Sequence, residues 1–116
     1  MLSARLLERN RKRLIEERAR LIEELADTAA LERSGTGLSN HMADEATEAF
    51  EQAKALALRQ NLERTLQAIE AALNRMDRGT YGICESCGQP IDPARLKAKP
   101  DAALCLDCRQ RLEKRR

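Results

Sequence analysis

At 116 residues, 34% of them charged and 2% aromatic, the chain has too few bulky rings to fill a thick globular core, and its balance leans to long helices. The net charge of +2 is too small to announce nucleic acid. No apolar run approaches the roughly 20 residues that cross a bilayer, and the charged N-terminus has no signal-peptide core, so a cytoplasmic protein without membrane contact is expected.

In chain order, the first predicted element is a helix from about Leu2 to Glu32. Leu7, Leu14 and Leu21 stand seven apart and are accompanied by Ile15, Ile22 and Leu25, a stripe suited to one helical face. Ser34-Gly35-Thr36-Gly37-Leu38-Ser39-Asn40 is the one concentrated breaker stretch and predicts a turn over 34–40. A second helix is predicted over 43–78, with Asn40 as a candidate N-cap and Gly79 as the residue that ends it. Its seam is Leu58, Leu62, Leu66, Ile69, Leu73 and Met76, spaced by threes and fours, with Phe50, Ala53 and Ala57 extending it upstream. A helix of that length spans about 54 Å. Two long helices joined by a short turn pack antiparallel. The expected fold is therefore mainly α: an antiparallel two-helix coiled-coil hairpin over 1–79, its tip at 41–51, followed over 80–116 by a small cysteine-bearing module.

Charge follows the same division. Residues 1–33 carry eight basic and seven acidic side chains, whereas 41–53 hold Asp44, Glu45, Glu48 and Glu51 and no Lys or Arg. From Cys84 onward there are eight basic and five acidic residues. Acidic residues in the first turn suit the positive end of the helix dipole, which accounts for Asp44 and Glu45 at least as well as a function does.

Cys84, Cys87, Cys105 and Cys108 form C-x2-C-x17-C-x2-C, within the spacing of a zinc site. Four soft sulfur ligands at tetrahedral corners leave no open position on Zn²⁺, so one structural zinc ion is expected rather than a catalytic one. Two disulfides or a redox pair are the rival readings. A reducing compartment disfavours the first, and two motifs without a βαβ pattern disfavour the second. Gly88 permits the turn that aims N–H groups at the sulfurs. Arg95, Lys97, Lys99 and Arg109 are candidates to offset the formal −2 charge of four thiolates on zinc. Pro90, Pro93 and Pro100 forbid a long helix between the pairs. Arg109 to Arg116 are expected to form a short terminal helix.

Tyr81-Gly82-Ile83-Cys84-Glu85-Ser86-Cys87-Gly88, then Ile91, Arg95-Leu96 and Pro100, then Leu104-Cys105-Leu106-Asp107-Cys108, closely resembles the TraR/DksA C4-type zinc finger. The resemblance is specific over about 79–110 and looser through the second helix. It implies a coiled coil that enters the secondary channel of bacterial RNA polymerase and brings an acidic tip near the catalytic centre. The family's tip pattern is Asp-x-x-Asp-x-Ala. Here it reads His41-Met42-Ala43-Asp44-Glu45-Ala46, so Asp44 and Ala46 match while His41 replaces the first Asp and Glu45 offers a neighbouring charge. The resemblance also raises the alarmone ppGpp as a ligand. The stretch Asn61 to Ala68 has one basic residue, Arg64, where a polyanion needs several donors, so weak or no ppGpp dependence is expected.

Three functions compete. The first is a non-enzymatic transcription regulator that binds RNA polymerase. The second is a DNA-binding zinc protein, whose finger spacing GATA-type fingers share; the finger's small charge excess argues against direct DNA binding. The third is a coiled-coil scaffold with a zinc clip. No enzyme is expected, because His41 stands alone at the predicted tip and the four cysteines are committed to metal.

Overall fold

The computed structural model describes residues 2–34 and 42–115, and the side chains among them outside 31–44. Four helices run in order: α1 (Ala4–Ser34), α2 (Met42–Arg78), α3 (Pro93–Ala98) and α4 (Leu106–Lys114). There is no strand among the described residues, only an isolated antiparallel bridge between Ile83 and Pro90. Of the turn expected over 34–40, Ser34 is the last residue of α1, while 35–40, including Asn40 as the candidate cap of the second helix, and His41 lie outside the described residues.

Local chemistry fixes the described helix ends. Ser3 accepts the N–H of Leu6 on its hydroxyl and opens α1. Gly79, at φ 76°, takes the left-handed conformation that closes α2, and its N–H donates to Met76 O. Asp92 caps α3 by accepting Ala94 N–H at 2.9 Å, and Pro93 occupies the first helical position, where no N–H is needed.

By compactness the chain divides into two units. Residues 1–18 and 68–116 form one of them. Within it α1 and α2 run antiparallel: Leu2 lies against Gly82, while Arg11, further along α1, pairs with Asp77 at 2.9 Å. Its core gathers Leu14 from α1, Ile69, Ala72, Leu73 and Met76 from α2, and Tyr81, Ile91, Leu96 and Ala102 from the following segment. Residues 19–67 form the other unit, and its described core is thin: Leu21 and Thr28 on α1 and Leu62 on α2 are buried.

The seam of α2 differs from the expected one. Leu58 is 51% exposed, and Phe50, Ala53 and Ala57 also face solvent, while Ala55 and Arg59 turn inward and are half-buried. Consecutive steps of four advance the angle by about 40° each, so Leu58, Leu62 and Leu66 cannot share one line. The seam that forms is 55-59-62-66-69-73-76, alternating four and three. On α1 the line is also narrower than the sequence stripe. Leu14 and Leu21 are buried, Ile15 and Ile22 are exposed, and polar Asn10 and Thr28 complete the buried face.

Candidate metal centre

The first cysteine pair sits on a tight turn. Gly88 N–H donates to Cys84 O at 3.0 Å, Cys84 N–H to Gln89 O at 2.8 Å, and Gly88 adopts φ 75° to close the loop. The second pair is built differently. Cys105 is the extended residue preceding α4, and Leu106 to Cys108 already belong to the helix, so the terminal helix begins three residues before the expected Arg109. With no side-chain cap bond on Cys105, its sulfur is left for the cluster, and Cys108 projects from the first turn three positions on.

The two halves are tied by Glu85 N–H donating to Ala103 O at 2.9 Å. The four sulfurs lie within 4.8 Å of one another, and among the described residues these cysteines are the one group of three or more such side chains close enough to share an ion. None is disulfide-bonded. Cys87 Sγ and Cys105 Sγ are 3.7 Å apart, far from a covalent bond. Zinc–sulfur bonds of about 2.3 Å at tetrahedral angles put sulfurs about 3.8 Å apart. The quartet fits one closed, structural zinc ion.

The sulfurs are not equivalent. Burial opposes ionisation of Cys84, but backbone N–H groups of Cys105, Cys87 and Ser86 point at its sulfur and outweigh it, bringing its thiol down to about 6. Cys108 is pushed up to about 12, first because it hydrogen-bonds Cys105 and then because it is buried. Without a metal Cys108 keeps its proton at neutral pH, and zinc takes that proton's place when it binds.

Two arginines bond the backbone that leads into the second cysteine pair. Arg75 of α2 is the one buried charged side chain among the described residues; it reaches Glu85 Oε1 at 3.3 Å and, at a long 3.5 Å, Ala102 O. Arg95 donates from α3 to Leu104 O at 3.1 Å. Arg109, also expected to offset the thiolates, pairs instead with Glu113 at 3.1 Å. Lys97 and Lys99 are exposed. Sequence reasoning missed Arg75, whose signal was a cation set between the seam residues Leu73 and Met76. It also missed Asn10, fully buried four residues before Leu14, which donates to Tyr81 Oη at 2.9 Å and Leu96 O at 3.0 Å.

The other predicted site residues are not members of this cysteine group. Asp44 belongs to the start of α2, with its side chain outside the described residues. Glu45 and Ala46 follow it on α2 and are exposed. Among the described residues no helix is long and apolar enough to cross a membrane.

Residues 79–114 match the prokaryotic dksA/traR C4-type zinc finger. The chain is 31% identical over 111 residues to the RNA polymerase-binding transcription factor DksA of Caulobacter vibrioides, covering 96% of this chain and 78% of that protein. It is 34% identical over 89 residues to the DksA of Haemophilus influenzae, covering 77% of this chain and 61% of that protein. The structure of transcription factor DksA2 from Pseudomonas aeruginosa is similar, with TM-score 0.83 and 29% identity, over 97% of this chain and 87% of that one.

Proposed function

The chain belongs to the DksA/TraR family, and from that premise we propose that it is a cytoplasmic, non-enzymatic transcription regulator that binds bacterial RNA polymerase. One observation carries the reading. The likeness to the Caulobacter protein spans 96% of this chain, so it includes both long helices and not the finger alone. In this proposal Cys84, Cys87, Cys105 and Cys108 are the zinc ligands, and the metal stabilises the module at 80–116 without doing chemistry. The helices over 1–79 act as a hairpin that enters the secondary channel and presents the 41–51 segment to the catalytic centre.

The residues assigned to that segment are His41, Asp44, Glu45 and Ala46. A carboxylate at position 44 near the enzyme's active site acts through its charge, whereas His41 brings no carboxylate. The scarcity of basic residues between Asn61 and Ala68 supports action with little or no ppGpp.

The test is retention of RNA polymerase core on the immobilised full chain, with transcription as a second readout. Binding at low salt is expected, and its absence would overturn the proposal. Asp44→Asn should bind within about twofold of the parent yet lose most of the effect on transcription, because the change removes charge and little shape. If that variant regulates as well as the parent, the role given to Asp44 is wrong.

A further inference from the structure

The segment between the cysteine pairs has no sheet to satisfy its backbone and only the six residues of α3. Five of its carbonyls are taken by side chains, four of them from outside the segment. Asn10 donates to Leu96 O, Arg13 to Lys97 O at 2.7 Å, Tyr81 to Pro100 O at 2.7 Å, Arg75 to Ala102 O and Arg95 to Leu104 O. The last two flank Ala103, whose own carbonyl accepts Glu85 N–H from the first turn. The next residue after Leu104 is Cys105, whose sulfur lies within 4.8 Å of the other three.

We infer that Arg75 and Arg95 are positioning residues for the metal: they hold the 102–104 backbone so that Cys105 delivers its sulfur to the cluster. Neither touches the ion. Three features make arginine suited to the task. A planar guanidinium donates in fixed directions and can hold a carbonyl while meeting a second acceptor, as Arg75 does with Glu85. The side chain of Arg75 is only 11% exposed, so few other arrangements are open to it. Each cation also belongs to the same compact unit as a centre that carries a formal −2 charge once four thiolates hold zinc. Residues that orient metal ligands from outside the ligand set characteristically influence affinity by 10–100-fold.

The experiment follows zinc transfer from the loaded full chain to a chromogenic chelator, alongside melting of the loaded and metal-free proteins. Arg95→Lys and Arg75→Lys keep the charge and lose the fork. Each is expected to release zinc about tenfold faster, with the loaded protein losing more stability than the metal-free one. Glu85→Gln removes the carboxylate charge but leaves the bond from the residue 85 N–H to Ala103 O, and is expected to stay within about threefold of the parent. Cobalt(II) substituted for zinc supplies a spectroscopic check, since misplacement of Cys105 alters the sulfur-to-metal bands even in a variant that folds normally. If both lysine variants retain zinc like the parent, or loaded and metal-free proteins lose stability equally, the arginines only support the fold and the inference fails. It fails equally if Glu85→Gln releases zinc as fast as Arg75→Lys, because the ion pair rather than the carbonyl contact would then be at work. Should Arg75→Lys fail to fold with zinc present, Arg95→Lys decides.

Discussion

Asn10 sits on the buried face of α1 where an apolar residue would cost less. Both hydrogens of its amide are spent, on Tyr81 Oη and Leu96 O, while Oδ1 has no protein partner among the described residues. Exchanging the amide's two ends would set Oδ1 against the Leu96 carbonyl, so the assigned orientation is the favourable one. The phenol passes the connection on to Pro100 O, so one chain of hydrogen bonds runs from α1 into the loop between the cysteine pairs. Tyr81→Phe is expected to destabilise the protein by about 1–2 kcal/mol in denaturant melts, because it strips Asn10 of an acceptor and Pro100 O of a donor. Alkaline pH reports on the same bond. Burial, the largest cause, raises the Tyr81 phenol above its usual 10.0, with the bond from Asn10 opposing it. The fold therefore favours the neutral phenol. Its contribution is complete below the unfolded value of 10.0 and is lost as pH rises through the folded-state value. Tyr81 is the one tyrosine in a chain without tryptophan, so phenolate absorbance can be followed directly. A midpoint at or below that of the unfolded chain would contradict the role given to burial, and the stability gap between parent and Tyr81→Phe should shrink at high pH.

Among the elements, the sequence announces what depends on local chemistry and hides what depends on a neighbour. Gly79 marks the end of α2, Pro93 the start of α3, and the cysteine spacing the metal site, each because one residue type answers one backbone need. The seam of α2 is less legible, because Leu58 looks apolar enough to be buried. The angular drift of successive fours moves it off the line, and half-buried Arg59 takes the place. Asn10 and Arg75 were hidden for the opposite reason: their burial depends on carbonyls at Leu96 and Ala102 that lie far along the chain. The glycines carry an element-scale prediction. An ideal Cβ on Gly79 would meet nothing within 4 Å, so Gly79→Ala at φ 76° should cost only the left-handed strain, about 1–2 kcal/mol. On Gly82, at φ 88°, the same atom would stand 2.5 Å from Leu2 Cδ1, so Gly82→Ala must also push Leu2 aside. Melting of both variants should rank Gly82→Ala as the more damaging. Adding Leu2→Ala to Gly82→Ala should recover part of the excess, and simple additivity of the two losses would show that the contact is not the cause.

At the scale of the whole molecule the compact units cut across the long helices, because contacts rather than chain order define them. The unit that contains the cysteines also contains α1 up to Arg18, and that stretch of α1 reaches the loop between the cysteine pairs through Asn10 and Arg13. Metal binding by such a site is folding free energy for whatever it organises. Buried Cys84 and Cys108 belong to the same core as Ile91, Leu96 and Ala102, so removing zinc leaves that core with charged or protonated sulfurs and no ion to unite them. The effect of a chelator should consequently reach beyond the residues between the cysteines. Amide exchange is expected to quicken over about 80–112 and also in α1 around Asn10, where the acceptors at Leu96 and Lys97 are lost. Residues 19–67 hold their own buried Leu21, Thr28 and Leu62 and should keep most of their protection. Exchange measured peptide by peptide, with and without chelator, separates the outcomes. Loss confined to the finger would mean that Asn10 and Arg13 do not connect α1 to the metal module. Equal loss throughout 19–67 would mean that the two units unfold as one, and that zinc stabilises the entire chain.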